Sequence, residues 1–151
     1  MRHGRARMVS AGAWPERYTF SPAVRTGNLL FISGTTATDE SGAIVAPGDI
    51  VGQTRYIYRK FAALLSAAGG GLEHIVETTE YVTTTENYRG TADVRRELFQ
   101  PPYPAATGVI VKGLLREGAL IEISAVALLP GTGRRQARRR RTHADRSKGS
   151  R

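Results

Sequence analysis

The stretch from Asp49 to Gly71 constrains the fold more than any other part of the chain. Ile50, Thr54, Ile57, Phe61 and Leu64 recur at spacings of four, three, four and three, which places them on one face of an amphipathic helix. Arg55, Arg59 and Lys60 fall largely on other faces. Asp49 is suited to cap the first free amides of that helix. Gly69-Gly70-Gly71 ends it, because glycine accepts the left-handed conformation at a helix C-terminus. A helix with one apolar face has to cover an apolar surface, so the flanking segments must supply one.

They read as strands. Residues 17–24 form a short extended stretch with Tyr18 and Phe20, interrupted by Pro22. Gly27-Asn28 signals a turn. Leu29-Leu30-Phe31-Ile32, bounded by Gly34, suggests a buried strand. Residues 75–83 carry Val76, Thr78, Thr79, Tyr81 and Val82, a β-rich composition. A second helix is expected over 87–99, stopped by Pro101, Pro102 and Pro104. Residues 107–112 and 119–129 read as two more strands, with 113–118 as a hairpin connection between them. The order strand, strand, helix, strand, helix, strand, strand predicts an α+β fold with two helices on one face of a mixed sheet.

Charge sets the limits of that fold. The 151-residue chain carries a formal net charge of +9, but residues 131–151 hold +8 of it and residues 1–17 hold +3. Residues 18–130 are slightly acidic, at −2. The tail has almost no apolar side chains, so it cannot offset its ordering entropy and is expected to be disordered. The expected organisation is therefore a flexible N-terminal segment at 1–17, one domain at 18–130 and a disordered basic tail at 131–151. Arg138 to Arg141 read either as an electrostatic handle for an anionic surface or as a solvated tail. They lack the interleaved aromatics that stack on bases, so nucleic-acid contact is expected only through 134–151. The absence of cysteine excludes a disulfide scaffold, a thiolate metal site and a cysteine nucleophile. No run is apolar over the ~18–20 residues that span a bilayer. Without a recognisable signal peptide, the chain reads as cytoplasmic.

Few residues invite chemistry. His3 and His143 lie in the basic ends, His74 sits at the boundary of a glycine turn and a strand, and no pair has metal-ligand spacing. No phosphate-loop motif is present. Glu122 stands out, inside Leu120-Ile121-Glu122-Ile123-Ser124-Ala125-Val126. Alternation puts it with Ser124, opposite Ile121 and Ile123. A carboxylate in so apolar a strand needs a partner, a wet cleft or a raised pKa. On composition alone an exposed sheet face, or an interface acid paired with Arg or Lys, is the better account of it.

The chain resembles the Rid (YjgF-like) enamine/imine deaminases. Phe20-Ser21-Pro22-Ala23-Val24 followed by Gly27-Asn28-Leu29-Leu30-Phe31-Ile32-Ser33-Gly34 is similar to their opening. Gln53-Thr54-Arg55 with residues 64–71 is similar to their first helix, and Ile75-Val76-Glu77-Thr78-Thr79-Glu80-Tyr81-Val82 to the next strand. Pro104-Ala105-Ala106-Thr107 and Leu120-Ile121-Glu122-Ile123-Ser124-Ala125-Val126-Ala127 resemble their closing signature. The resemblance covers residues 18–130. It implies a chorismate-mutase-like fold, a homotrimer with a central barrel and small-molecule clefts between subunits. It also implies hydrolysis of reactive imines and enamines, such as 2-aminoacrylate, to 2-keto acids and ammonia, with no metal or organic cofactor. By the resemblance Glu122 is the catalytic, water-positioning residue. Phe20, Ser33, Gly34, Tyr88, Arg95, Ala106, Thr107 and Gly108 are expected to line the substrate cleft.

The chain departs from the family pattern at one informative place. Where active relatives have an arginine that clamps the substrate carboxylate, this chain has Ala106. Phe20 stands where a tyrosine is expected, and Gly108 leaves room. Three explanations follow. Another cation could take over: Arg95, one turn beyond Ala92, or Lys112, which alternates with Ala106, Gly108 and Ile110. The substrate could differ, making this a pathway-specific hydrolase of secondary metabolism. Or the trimer could bind ligands or RNA without catalysis, since ribonuclease activity has been attributed to family members.

Overall fold

In the computed structural model, which describes residues 6–131, helix α1 spans Ile50–Ala67 and is capped at both ends as its sequence requires. The Asp49 carboxylate accepts from the Val51 and Gly52 amides, each at 3.0 Å. At the other end Gly69 takes φ +85°, and Gly70 N–H returns to Leu65 C=O at 2.8 Å, a Schellman closure. Arg25 reinforces this end, donating to Ala68 C=O at 2.8 Å. Ile50, Thr54, Ile57, Phe61 and Leu64 are all buried, joined by Gln53, Tyr58 and Leu65.

The strands are β1 (Arg7–Val9), β2 (Ala23–Thr26), β3 (Leu29–Thr35), β4 (Ile75–Val82), β5 (Ala105–Ile110) and β6 (Ile121–Leu128), with α2 at Thr91–Leu98. They form one mixed sheet in the order β1-β2-β3-β6-β4-β5. Only the β4–β5 pair is parallel. The fold is thus α+β, with both helices on one face of a six-stranded sheet.

Several boundaries differ from the sequence reading. Residues 113–118 do not turn a hairpin, because β5 and β6 are not neighbours. A helix between β4 and β5 makes a crossover, which pairs them in parallel and sends β5 to the edge. That leaves facing edges of β3 and β4 for β6, the strand with the most continuous apolar inner face: Ile121, Ile123, Ala125 and Ala127 are all buried. Gln53 fixes its start, donating to Gly118 C=O at 3.1 Å and accepting from Leu120 N–H at 2.8 Å.

The second helix is shorter than 87–99. Asn87 takes φ +55°, a 3-10 turn follows at Tyr88–Gly90, and the α-helix starts only at Thr91. Segment 1–17, expected to be flexible, contributes β1, because the outer edge of β2 offers free backbone groups that Arg7–Val9 satisfies. The disorder expected for the tail concerns residues 132–151, which lie outside the described residues, as do residues 1–5.

The sheet has two unlike faces. Toward the helices it presents Leu30, Ile32, Thr78, Glu80, Val82, Ile121, Ile123, Ala125 and Ala127, all buried. Toward the other side it presents Leu29, Phe31, Val109 and Leu128, large apolar side chains that remain exposed.

Candidate active site

Glu122 lies on this open face, as its alternation with Ile121 and Ile123 requires, opposite Tyr81 of β4 in register. Its carboxylate packs directly on Gly34. A β-carbon placed there would sit 3.2 Å from Glu122 Cδ and overlap Oε1. Gly34 therefore has to lack a side chain for Glu122 to occupy its position. Ser33 ties down the neighbouring loop: its hydroxyl donates to Ser21 C=O at 2.6 Å, and its amide to Pro22 C=O at 3.0 Å. That loop carries Phe20, half-exposed, in an aromatic cluster with Trp14 and Tyr18 at ring separations of 4.9–5.4 Å. Trp14 Nε1 donates to Phe20 C=O at 2.8 Å, which anchors the cluster. Thr107 shares the open face, in register with Thr79.

A second group of expected residues gathers on the helix side. Between α2 and the edge strand β5 lies a cavity of about 260 Å³ lined by Tyr58, Thr78, Ala92, Arg95, Tyr103 and Ala106, among others. This is slightly below the ~300–1,000 Å³ usual for ligand pockets. Arg95 Nη1 donates to Glu80 Oε1 at 2.7 Å and to Thr91 Oγ1 at 3.2 Å. Tyr88 donates its hydroxyl to the other oxygen of Glu80, also at 2.7 Å. Glu80 is only 2% exposed, so a buried carboxylate holds both side chains in place. A β-carbon at Gly108 would lie 2.9 Å from Tyr88 Oη; the missing side chain gives Tyr88 its path to Glu80.

Tyr58 is the floor of this cavity. It is fully buried, and its hydroxyl lies near Thr78 without completing a hydrogen bond. Burial first, then the negative charge of Glu80, raises its pKa well above the ordinary phenol value. Tyr88 is raised for the same reasons, burial leading and its bond to Glu80 following.

The expected site residues thus divide between the faces of one sheet: Phe20, Ser33, Gly34, Thr107 and Glu122 on one side, Tyr88, Arg95, Ala106 and Gly108 on the other. Lys112 joins neither group. Strand β5 ends at Ile110, so the alternation that put Lys112 beside Ala106 stops short, and its side chain is exposed. His74 sits in a 3-10 turn, where Nδ1 accepts from Gly71 N–H at 3.0 Å. Sequence reasoning missed Glu80, Tyr58 and Trp14. Glu80 was visible in principle, since strand parity places it with Thr78 and Val82 on the inward face, where an acid is costly without a partner.

Comparison with known proteins agrees with this fold. The family model described as Endoribonuclease L-PSP matches residues 13–129. A RutC family protein of Pyrococcus horikoshii is 34% identical over 108 residues, covering 72% of this chain and 85% of that one. The 3-aminoacrylate deaminase RutC of Acinetobacter baylyi is 33% identical over 120 residues, covering 80% and 94%. Among solved structures, RidA from an Antarctic Psychrobacter superposes with a TM-score of 0.72 at 26% identity, over 82% of this chain and 99% of that one. YyfA of Yersinia pestis, of the conserved Rid protein family, gives 0.74 at 28% identity, over 83% and 100%. The matched family model, the two RutC relatives and the shared fold together make this chain a member of the Rid (YjgF-like) family.

Proposed function

We propose that the protein is a cofactor-independent enzyme that hydrolyses the C=N bond of a small imine, or of an enamine after tautomerisation, in a cleft completed between subunits of a homotrimer. The observation that carries this reading is Glu122, a carboxylate on a strand that is apolar apart from Ser124, seated against the side-chain-free Gly34. Its similarity to a 3-aminoacrylate deaminase supports the reaction class. Two features support the assembly. The open sheet face exposes Leu29, Phe31, Val109 and Leu128, and the expected cleft residues lie on opposite faces, so one protomer's Glu122 meets the Arg95 cavity only through a second copy.

In this mechanism Glu122 orients a water molecule and takes its proton as the oxygen adds to the imine carbon. The resulting carbinolamine receives that proton on nitrogen; as the C–N bond breaks, Glu122 takes the hydroxyl proton, so the carbonyl product forms, and that proton then passes to the departing ammonia, which leaves as ammonium. A protonated imine is already electrophilic, so placing water and proton supplies the acceleration. Ala106 in place of a carboxylate-binding arginine argues for a pathway-specific role rather than general 2-aminoacrylate removal. Glu122→Ala is expected to abolish ammonia release from the true substrate while sedimentation shows the oligomer unchanged. Undiminished turnover removes Glu122 from the mechanism.

A second reading, a non-catalytic ligand- or RNA-binding trimer, is favoured by the +8 charge of residues 131–151. Deleting the tail separates the two: it abolishes salt-sensitive RNA binding and leaves cleft chemistry intact.

A further inference from the structure

We propose that Arg17, Tyr18 and Arg116 form an anion site that takes the terminal phosphate of a mononucleotide, whose base rests on the ring surface of Trp14 and Phe20. The site does not involve Glu122 and adds a ligand to the hydrolysis proposed above.

Two arginines from distant parts of the chain meet at one phenol. Arg17 lies over the Tyr18 ring, its Cζ 5.0 Å from the ring centroid. Arg116 reaches the same phenol from the loop between β5 and β6. Arg17 first, through hydrogen bonding and charge, and Arg116 after it, hold the Tyr18 hydroxyl below its ordinary pKa. The point where they converge therefore favours negative charge. Among the described residues neither guanidinium has an ion-pair partner, although Glu16 and Glu117 are their neighbours in the chain. Lys60 stands near Arg116: its ammonium is fixed by Thr36 C=O and Thr38 C=O at 3.0 Å each, and its pKa is lowered by burial first and by Arg116 second. Like charges gathered without an acid repel, and an anion offsets that repulsion.

Both segments that carry the arginines are held in place by the fold. Tyr18 N–H donates to Pro15 C=O at 3.1 Å, and Trp14 Nε1 to Phe20 C=O at 2.8 Å. Ala119 N–H closes a turn on Arg116 C=O at 3.1 Å, and Gln53 secures Gly118 and Leu120 just beyond it. The ring surface is adjacent: Trp14 and Phe20 pack on Tyr18 at 4.9 and 5.4 Å, and Phe20 remains half-exposed. A planar base stacks on such rings whatever its identity. The geometry selects a single nucleotide over a strand. A nucleic-acid backbone needs positive charge that tracks along it, whereas Arg17 and Arg116 converge on one position. A terminal phosphate also carries up to about two negative charges near neutral pH, against one for a phosphodiester or a carboxylate, and two forked guanidiniums match its oxygens.

Trp14 is the single tryptophan of the chain, so its fluorescence reports on the site directly. The full chain is titrated at physiological salt with adenosine 5′-monophosphate, adenosine and ribose 5-phosphate. The monophosphate is expected to quench Trp14 saturably and to bind about tenfold or more tightly than adenosine, the usual worth of hydrogen bonds to a charged group. Ribose 5-phosphate should compete with it without quenching. Arg17→Gln and Arg116→Gln should each weaken binding by about tenfold. Both side chains are exposed, so thermal melting should match the wild type. Arg17→Lys and Arg116→Lys should recover part of the affinity, since the charge stays and the fork is lost. Absence of saturable quenching, equal affinity for adenosine, or full affinity in the double variant Arg17→Gln/Arg116→Gln overturns the proposal. So does an unphosphorylated single-stranded RNA hexamer that quenches Trp14 at lower concentration than the monophosphate, which would make this a strand-binding surface. Glu122→Ala should bind the monophosphate as the wild type does; a loss there puts the nucleotide in the imine cleft and overturns the proposal as well.

Discussion

Replacing Gly34 by alanine should damage catalysis without damaging the fold. A β-carbon at this position would lie 3.2 Å from Glu122 Cδ and overlap Oε1, whereas ordinary carbon contacts sit at about 3.5–4.0 Å. The carboxylate must therefore withdraw by roughly 1 Å, a misplacement that typically costs about 10²-fold in rate, or about 2.7 kcal/mol of barrier. The fold has little reason to object. Gly34 is not among the glycines at positive φ, so alanine brings no backbone strain, and the contacting atoms are the end of a flexible, half-buried side chain. Alanine also reduces the freedom of the unfolded chain, worth about 0.4–1 kcal/mol. Urea unfolding should thus place Gly34→Ala within about 1 kcal/mol of wild type, while ammonia release from in situ generated imino acids falls about 100-fold. If the alanine acts only through the carboxylate, Gly34→Ala should add nothing further in a Glu122→Ala background. Wild-type turnover in the single variant, or independent losses that multiply in the double variant, would refute the claim that Gly34 exists to seat Glu122.

Two further outcomes follow from the Glu80 cluster. Because Tyr58 and Tyr88 have raised pKa values in the fold, the unfolded chain releases their protons near pH 10 while the native state keeps them. Stability should therefore fall as pH rises above about 10. Tyr58→Phe should flatten that slope in denaturant titrations at pH 8–11, and an unchanged slope would count against its origin. Gly108→Ala brings a methyl 2.9 Å from Tyr88 Oη, so it should break the Tyr88–Glu80 bond and cost about 1 kcal/mol. A matched loss in Tyr88→Phe, with no extra loss when the two are combined, is the expected calorimetric result; additive losses would mean that the methyl acts elsewhere.

What could be read from the sequence followed from local periodicity. The face of α1, its aspartate cap and its glycine stop depend only on residues within a turn or two, and all appear in the structure. The open-face placement of Glu122 came from alternation alone, because period two is a property of any strand. Strand partners are another matter. Nothing local in residues 113–118 distinguishes a hairpin from a crossover. The choice was made by α2, which forces β5 parallel to β4 and leaves the central slot to β6. β1 escaped notice for a related reason: Arg7–Val9 is too short to show alternation, and its place comes from the backbone edge that β2 offers. The site divides along the same line. Gly34 meeting Glu122 requires the β3–β6 pairing, and Arg95 meeting Glu80 requires α2 to lie over β4, so both contacts join residues far apart in sequence. Ala106 marked a missing charge in one strand, and the fold sets Arg95 of α2 against the same cavity, on the side of the sheet away from Glu122. The buried Glu80 holds that arginine in place through a contact between α2 and β4 that no local pattern in either segment announces.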